Sequence, residues 1–438
     1  MMGFPGFLRR HCELRLICYA PMTRRFAVHP CLIAALLAVS GSNAVSASTC
    51  PHAADEPATA PPLATAQRQQ VGDVVGVRAI ETTHPYRFDA GDTPRLLQQL
   101  ELHLPGATYV APYFSRFDLA EGDHVIVRSP DGSRRWRYEG QGKPGLRRGD
   151  GFWGIHVPGE RLIVELHGSG RGEGWGFRID KAARGFALPG QRVICGADDK
   201  RNASCYRHSH PQQYASAGAV TRLLINGTSF CTGWLLGSEG HVITNNHCIG
   251  SAADALNTTF EFMVEAPCED SCTTWMCPGT IVATQSTLVQ TSSGLPDFSL
   301  LKLPVNPAQT YGYLRLRNGA PQLGEAIYLP QHPDGRGKEI AMTSSHPADP
   351  DGLPRIQHLA NPFARYFADT EGGSSGSPVI ARADNCVVML HAGSYGCEDT
   401  HYTGNVGVRS DRLIAELGQN VPADALCGGD ALFANGFQ

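Results

Sequence analysis

The stretch Glu371-Gly372-Gly373-Ser374-Ser375-Gly376-Ser377-Pro378 constrains this chain most. Its glycines and small polar residues allow a tight loop that exposes a serine hydroxyl and aims backbone N–H groups at one point. The apolar Val379-Ile380 follows at once and places the loop at the entrance of a strand. The N–H groups of Gly373 and Ser375 are then placed to hold an oxyanion formed in acyl transfer. A run of this composition standing alone is usually a plain loop. Its meaning depends on what else the chain supplies.

A serine hydroxyl is a poor nucleophile without a base to take its proton and a third group to orient that base. Upstream, Cys231-Thr232-Gly233-Trp234-Leu235-Leu236 and Gly240-His241-Val242-Ile243-Thr244 read as two short strands joined by a Gly-containing turn, ending at His247-Cys248. Between this hairpin and the serine loop, Asp297 enters the apolar run Phe298-Ser299-Leu300-Leu301. His247 is the candidate base and Asp297 the candidate orienting carboxylate, in the order His, Asp, Ser. Read singly, His247 is a packed turn residue, Asp297 a turn cap and Ser375 a loop serine. The order and the flanking segments together argue against all three bland readings.

Residues from about Cys195 to Leu417 resemble the chymotrypsin-fold serine endopeptidases, specifically the bacterial lysyl and glutamyl endopeptidase branches. Those branches carry Gly-x-Ser-Gly-Ser-Pro where the animal enzymes carry Gly-Asp-Ser-Gly-Gly-Pro. The resemblance implies an all-β chain with two six-stranded β-barrels and an active site in the cleft between them. It implies peptide-bond hydrolysis through an acyl-enzyme on Ser375, with no metal and no cofactor, acting on protein or peptide substrates as a monomer. Position by position, it implies the bridges Cys231–Cys248, Cys195–Cys397 and Cys205–Cys268. Local pairing of Cys272 with Cys277, and of Cys386 with Cys427, remains open, and Cys50 makes the mature count odd. Zinc on Cys268, Cys272 and Cys277 is the rival use, but no histidine pair lies near them. The animal enzymes place an aspartate before the nucleophile to pair with a freshly cut N-terminus. Here that position is Ser374, which argues against activation by such an insertion.

Two signals bear on substrate choice. Asp369 lies where trypsin-like enzymes place the carboxylate that binds Lys or Arg, and Glu371 adds a second negative charge. Thr370 and His391 stand where glutamyl endopeptidases bind a Glu side chain, and Gly393 is counted with the same pocket. The expected preference is Lys or Arg before the cut, with a Glu-specific endopeptidase as the alternative. Gln331-His332-Pro333-Asp334-Gly335 also looks like a lysyl endopeptidase segment, although Gly404 stands where those enzymes carry an aspartate, with Glu398 and Asp399 earlier in the loop. A catalytically silent protease fold used as a binding module is the alternative from another class. An esterase lacks support, because the strand–elbow–helix context is absent.

The 438 residues are too many for one core and suggest two domains plus tails. Gly 49 and Pro 30 with only 18% charged residues suit a turn-rich β protein. A net charge of −4 points to no nucleic-acid partner. Fourteen cysteines suggest an oxidising compartment. Residues 1–47 read as a leader with a signal peptide starting at Met22: Arg24-Arg25, the apolar run Cys31–Val39, then small residues. That run is short for a bilayer core of about 30 Å, so a secreted chain without a membrane anchor is expected. Residues 48–70 read as a linker and 71–186 as a small β-sandwich, either a pro-region or a retained module. His156 and His167 within it are expected to be packed or solvated rather than metal ligands. Residues 190–420 form the protease domain, with processing expected between Arg184 and Cys195 and with Arg184 and Arg192 as basic candidates. Residues 421–438 are a tail, read as a sorting tag or a docked strand.

Overall fold

The computed structural model describes residues 68–86, 88, 94–169, 174–187, 192–270, 272, 277, 279–397 and 403–428. The expected signal peptide, Cys50, most of the linker, Glu398, Asp399 and the last ten residues of the tail lie outside them.

The N-terminal part is two antiparallel sheets. One orders Gly72–Glu81, Gly176–Gly185, Tyr109–Asp118 and Phe152–Trp153, with Val157–Pro158 also paired to Tyr109–Asp118; the other orders Arg95–His103, Arg161–Gly168, His124–Arg128 and Arg135–Glu139. Arg161–Gly168 alternates outward and buried residues, the period-2 pattern of a strand with one face in the core. The buried faces meet around Phe114, Phe117, Tyr138, Phe152 and Phe177, whose rings stack or meet edge to face. The Ser129–Gly132 segment forms a tight turn, Gly132 N–H donating to the Ser129 carbonyl at 3.0 Å, with Gly132 at φ 73°.

Two curled sheets follow. The first orders Thr280–Ala283, Thr258–Phe262, Val220–Ile225, Ser229–Leu236, His241–Thr244, Phe298–Lys302 and Thr287–Ser292. The second runs Lys200–Asn202, Glu339–Ala341, Ile327–Gln331, Pro378–Ala381, Val387–Ser394, Asn405–Arg409, Phe363–Tyr366 and Ile356–Leu359. This is the chymotrypsin-like double barrel, with more strands than six per barrel. Short edge segments account for part of the surplus: Lys200–Asn202, Leu316–Arg317 and Leu426–Cys427 on the second sheet, and Gln69–Gln70, added to Ser229–Leu236, on the first. Buried Trp234, Leu235, Ile243, Leu300, Leu390 and Val408 belong to one apolar cluster, so the facing sides of the two sheets close the body of the fold. The last long strand runs into the helix Ser410–Leu417, whose Leu413 and Leu417, one turn apart, are buried.

The sandwich is seated on the first barrel through specific contacts. Val71, Tyr109, Trp153 and Ala183 share an apolar cluster with Leu224 and Phe230. Asn226 and Gly227, both at positive φ, form the hairpin tip that receives Trp153: its ring lies 2.7 Å from where a Cβ on Gly227 would stand. Tyr109 OH donates to the Gly227 carbonyl at 2.8 Å, and the buried Lys143 ammonium donates to the carbonyls of Leu256 and Thr284. Glu261 of the barrel pairs with buried Arg222 at 2.6 Å and with Arg134 of the sandwich. His156 of the sandwich lies 3.4 Å from the same carboxylate. His156 thus packs into the seam, and His167 pairs with Glu165 at 3.0 Å.

Candidate active site

Thr244 pairs with Ser299, so the turn after His241–Thr244 and the residue before Phe298–Lys302 emerge at the same end of the sheet. That register brings His247 and Asp297 together. Asp297 Oδ2 lies 2.6 Å from His247 Nδ1, and Oδ1 accepts the His247 backbone N–H at 3.0 Å. Asn245 Nδ2 donates to the Asp297 carbonyl at 3.0 Å, tying both ends of the pair to one turn. A carboxylate at Nδ1 fixes the tautomer that leaves the far nitrogen, Nε2, free to accept a proton. Nε2 is buried and has no hydrogen-bond partner among the described residues.

Cys231 is bonded to Cys248, and a His247 ring nitrogen lies within 4.8 Å of both sulfurs. The Ser375 carbonyl lies 3.9 Å from Cys248 Sγ and accepts the Thr232 N–H at 2.9 Å. Thr232 thus docks the serine loop onto the histidine hairpin, and its hydroxyl also donates to the Gly373 carbonyl at 2.9 Å. Within the loop, Ser374 N–H donates to Glu371 and Ser377 N–H to Ser374. The N–H groups of Gly373 and Ser375 have no protein acceptor among the described residues. They are the two N–H groups expected from the sequence to face an oxyanion.

Gly373 has φ 86°, and a Cβ there would sit 1.8 Å from the Phe230 ring. Gly376 has φ 88° and a Cβ there would meet the Thr232 carbonyl at 2.0 Å. Both positions thus need glycine twice over, for conformation and for space. Gly373→Ala is expected to displace the loop and lower kcat/KM by about 100-fold or more, the scale of a lost oxyanion donor. Steady-state kinetics on a peptide substrate, with thermal unfolding as the folding control, checks it.

Gln331, named in the sequence only as part of a resembling segment, holds the loop from behind. Ser374 Oγ donates to buried Gln331 Oε1 and accepts the Glu371 N–H at 3.1 Å, while Gln331 Nε2 donates to the Asp369 carbonyl at 2.8 Å. Where an aspartate would wait for a cut N-terminus, this serine already has its partner in the uncut chain. Gln331 opens the segment that resembles lysyl endopeptidases, but its contact with Ser374 follows from its place at the end of Ile327–Gln331.

The expected pocket residues separate into two groups. Asp369 and Glu371 were expected as carboxylates facing a bound cation, and the structure engages both elsewhere. Asp369 accepts the N–H groups of Cys195 and Asp199, each at 2.8 Å, and burial pushes its carboxyl up. Glu371 is buried against Arg336, at 2.7 Å, and Lys200, at 3.4 Å. Asp334 beside it is pushed up to about 7, by burial and then by the Glu371 charge. The physical reason is supply: Cys195–Lys200 brings two N–H groups and an ammonium to this loop, and buried carboxylates take the nearest donors.

Thr370, His391 and Gly393 stay together. Thr370 Oγ1 donates to Asn405 Oδ1 at 2.7 Å, and His391 Nδ1 lies 2.7 Å from Tyr366 OH. Burial, then the nearby His247, lowers His391 to about 3, which keeps it neutral. Gly393 sits at the register shift where Val387–Ser394 pairs with Asn405–Arg409, and Ser394 is opposite Asn405. Asn405 and Tyr366 carried no sequence signal; each is an ordinary strand residue until the sheet assembles.

The remaining bridges are Cys195–Cys397, Cys205–Cys268, Cys272–Cys277 and Cys386–Cys427. Cys268 and Cys272 are spent in different bridges, so the three thiolates of the zinc alternative are not available together.

Residues 197–406 match the family model described as lysyl endopeptidase, C-terminal domain. Secreted RxLR effector protein 73 of Plasmopara viticola is 38% identical over 351 residues, covering 75% of this chain and 84% of that protein. The chain belongs to the chymotrypsin-fold serine endopeptidase family. An uncharacterized protein, y4fB of Sinorhizobium fredii (strain NBRC 101917 / NGR234), is 28% identical over 235 residues, 44% of this chain and 33% of its own length. Two solved structures are also similar to this chymotrypsin-fold chain. A Glu endopeptidase in complex with MPD is 19% identical with a TM-score of 0.38, over 52% of this chain and 98% of its own. The serine endoprotease from Yersinia pestis is 16% identical with a TM-score of 0.35, over 48% of this chain and 65% of its own.

Proposed function

We propose that this chain is a secreted serine endopeptidase that cuts proteins through an acyl-enzyme on Ser375. The observation that carries the reading is the Asp297–His247 pair, with a partnerless Nε2, beside a glycine-bounded serine loop. His247 Nε2 takes the Ser375 hydroxyl proton as Oγ attacks the carbonyl carbon, and Asp297 stabilises the imidazolium. The N–H groups of Gly373 and Ser375 receive the oxyanion; the proton then passes from His247 to the departing amine. Water repeats the sequence on the ester and frees the enzyme. Five disulfides among the described residues and a relative whose name describes a secreted effector support export.

Lys or Arg before the cut is the first reading of specificity, supported by the lysyl endopeptidase family match. The engagement of Asp369 and Glu371 with the chain's own donors favours a second, Glu, recognised by Thr370 and His391. A cleavage-site map decides. The protein and a Ser375→Ala control are incubated with a denatured protein, and the peptides are identified by mass spectrometry. Cuts after Lys or Arg, absent from the control, select the first reading and cuts after Glu the second. No cutting and no fluorophosphonate labelling of Ser375 would replace the enzyme with a binding module.

A further inference from the structure

The segment Arg68–Gln70 does not end the sandwich quietly; it runs along the candidate active site. Gln69 pairs with Phe230 and Gln70 with Ser229, adding an antiparallel strand to the edge of Ser229–Leu236. The Gln69 side chain lies against the serine loop, its Oε1 2.0 Å from where a Cβ on Gly372 would stand. One residue earlier, the Arg68 guanidinium donates through Nε to the His247 carbonyl at 3.2 Å. Its two terminal nitrogens form a bidentate pair with Asp254, at 3.0 and 2.8 Å. Three consecutive residues therefore touch the strand that carries Cys231, the loop of Ser375 and the residue that would act as base.

An extended peptide added to an exposed strand edge is a general mode of peptide recognition. The side of the scissile bond follows from the chemistry. Thr370, His391 and Gly393 are grouped on the second barrel, whereas Arg68–Gln70 lies on the first, past the Cys231–Cys248 bridge. His247 hands its proton to the departing amine, so residues after the cut lie toward the first barrel. Asp254 is built to receive a cation: Asn226 Nδ2, Ser251 Oγ and Gly250 N–H hold its carboxylate at 2.7, 2.9 and 3.3 Å, and Arg68 completes it. A planar guanidinium meeting a carboxylate through two nitrogens is specific to arginine in a way a point charge is not.

We infer that Arg68–Gln70 occupies the leaving-group side of the substrate cleft, and that Asp254 selects a basic residue there. This rests on the endopeptidase reading. A protein substrate must displace the segment before its residues after the cut can pair with Phe230, so the chain restrains its own activity on long substrates. A small ester, with nothing beyond its leaving group, has no need to displace it.

The test uses full-length protein and Arg68→Ala. The substrates are a small ester and two quenched peptides that differ only in having Arg or Ala directly after the cut. Arg68→Ala is expected to raise kcat/KM on the Arg peptide about tenfold, mainly through KM, the scale of one charge-assisted contact. The ratio of peptide to ester turnover should rise by the same factor, which separates release of the cleft from any change at His247. In the Arg68→Ala background the Arg peptide should be preferred about tenfold over the Ala peptide, a preference that Asp254→Asn removes. Fluorophosphonate labelling of Ser375 in every variant confirms a folded site. Labelled, active protein in which Arg68→Ala leaves the peptide-to-ester ratio unchanged overturns this inference alone. If even the parent neither labels nor cuts, the endopeptidase reading falls and takes the inference with it.

Discussion

Asp297→Asn is expected to lower kcat/KM about ten-thousand-fold while leaving the fold intact. The carboxylate does two jobs, with Oδ2 at His247 Nδ1 and Oδ1 on the His247 backbone N–H. An asparagine can keep the second through its carbonyl oxygen. Its amide NH2 then faces Nδ1, which must become the acceptor, and the ring proton moves to Nε2. An imidazole protonated at Nε2 cannot take the Ser375 proton. No neighbour substitutes, because His391 is kept neutral by burial and its Nδ1 is committed to Tyr366. Kinetics on a peptide substrate, with unchanged thermal unfolding, would support this; a loss below about thirtyfold would remove Asp297 from the catalytic group.

Glu261→Ala is expected to destabilise the protein by about 3–5 kcal/mol, the cost of leaving a buried charge without its partner. Arg222 is wholly buried, with one terminal nitrogen on the Gly335 carbonyl and the other on Glu261. Arg134 and His156 reach the same carboxylate from the sandwich, so one substitution strips counter-charge from both sides of the seam. The partners hold Glu261 well below the usual carboxylate range despite its burial. Denaturant unfolding of parent and variant measures the loss. Limited proteolysis should also cut the 187–191 junction faster in the variant if the seam holds the sandwich in place.

The same seam has a pH signature. Burial lowers His156 to about 4, so the folded protein resists protonation there while the unfolded chain takes a proton near 6.5. Stability should therefore fall as pH drops from about 6.5 to about 4, and Glu261 loses its own contribution at still lower pH. A denaturation midpoint that does not move across that window would contradict the burial of His156 as a neutral ring. Such a seam suits a sandwich that stays docked whether or not the junction is cut.

What could be read along the chain was local chemistry and periodicity. The serine loop announces itself because glycine is needed wherever φ is positive or space is absent, and Gly373 and Gly376 meet both conditions. The alternation in Arg161–Gly168, the turn at Ser129–Gly132 and the strand-to-helix ending at Ser410–Leu417 follow from patterns contained within a few residues. His247 and Asp297 could be nominated because each stands at the mouth of a recognisable strand. The cysteine pairs came from resemblance, since spacing leaves many pairings open.

Partner choice among buried polar groups could not be read this way. Asp369 is six residues from Ser375 and looks like a pocket carboxylate, yet its oxygens are claimed by N–H groups at Cys195 and Asp199. Glu371 is claimed by Lys200 and Arg336 in the same fashion, and Asp254 by Arg68, 186 residues away. A buried charge must find compensation, but the chain's order does not say which donor will arrive. That depends on which strands become neighbours, and so on the topology of the assembled sheets.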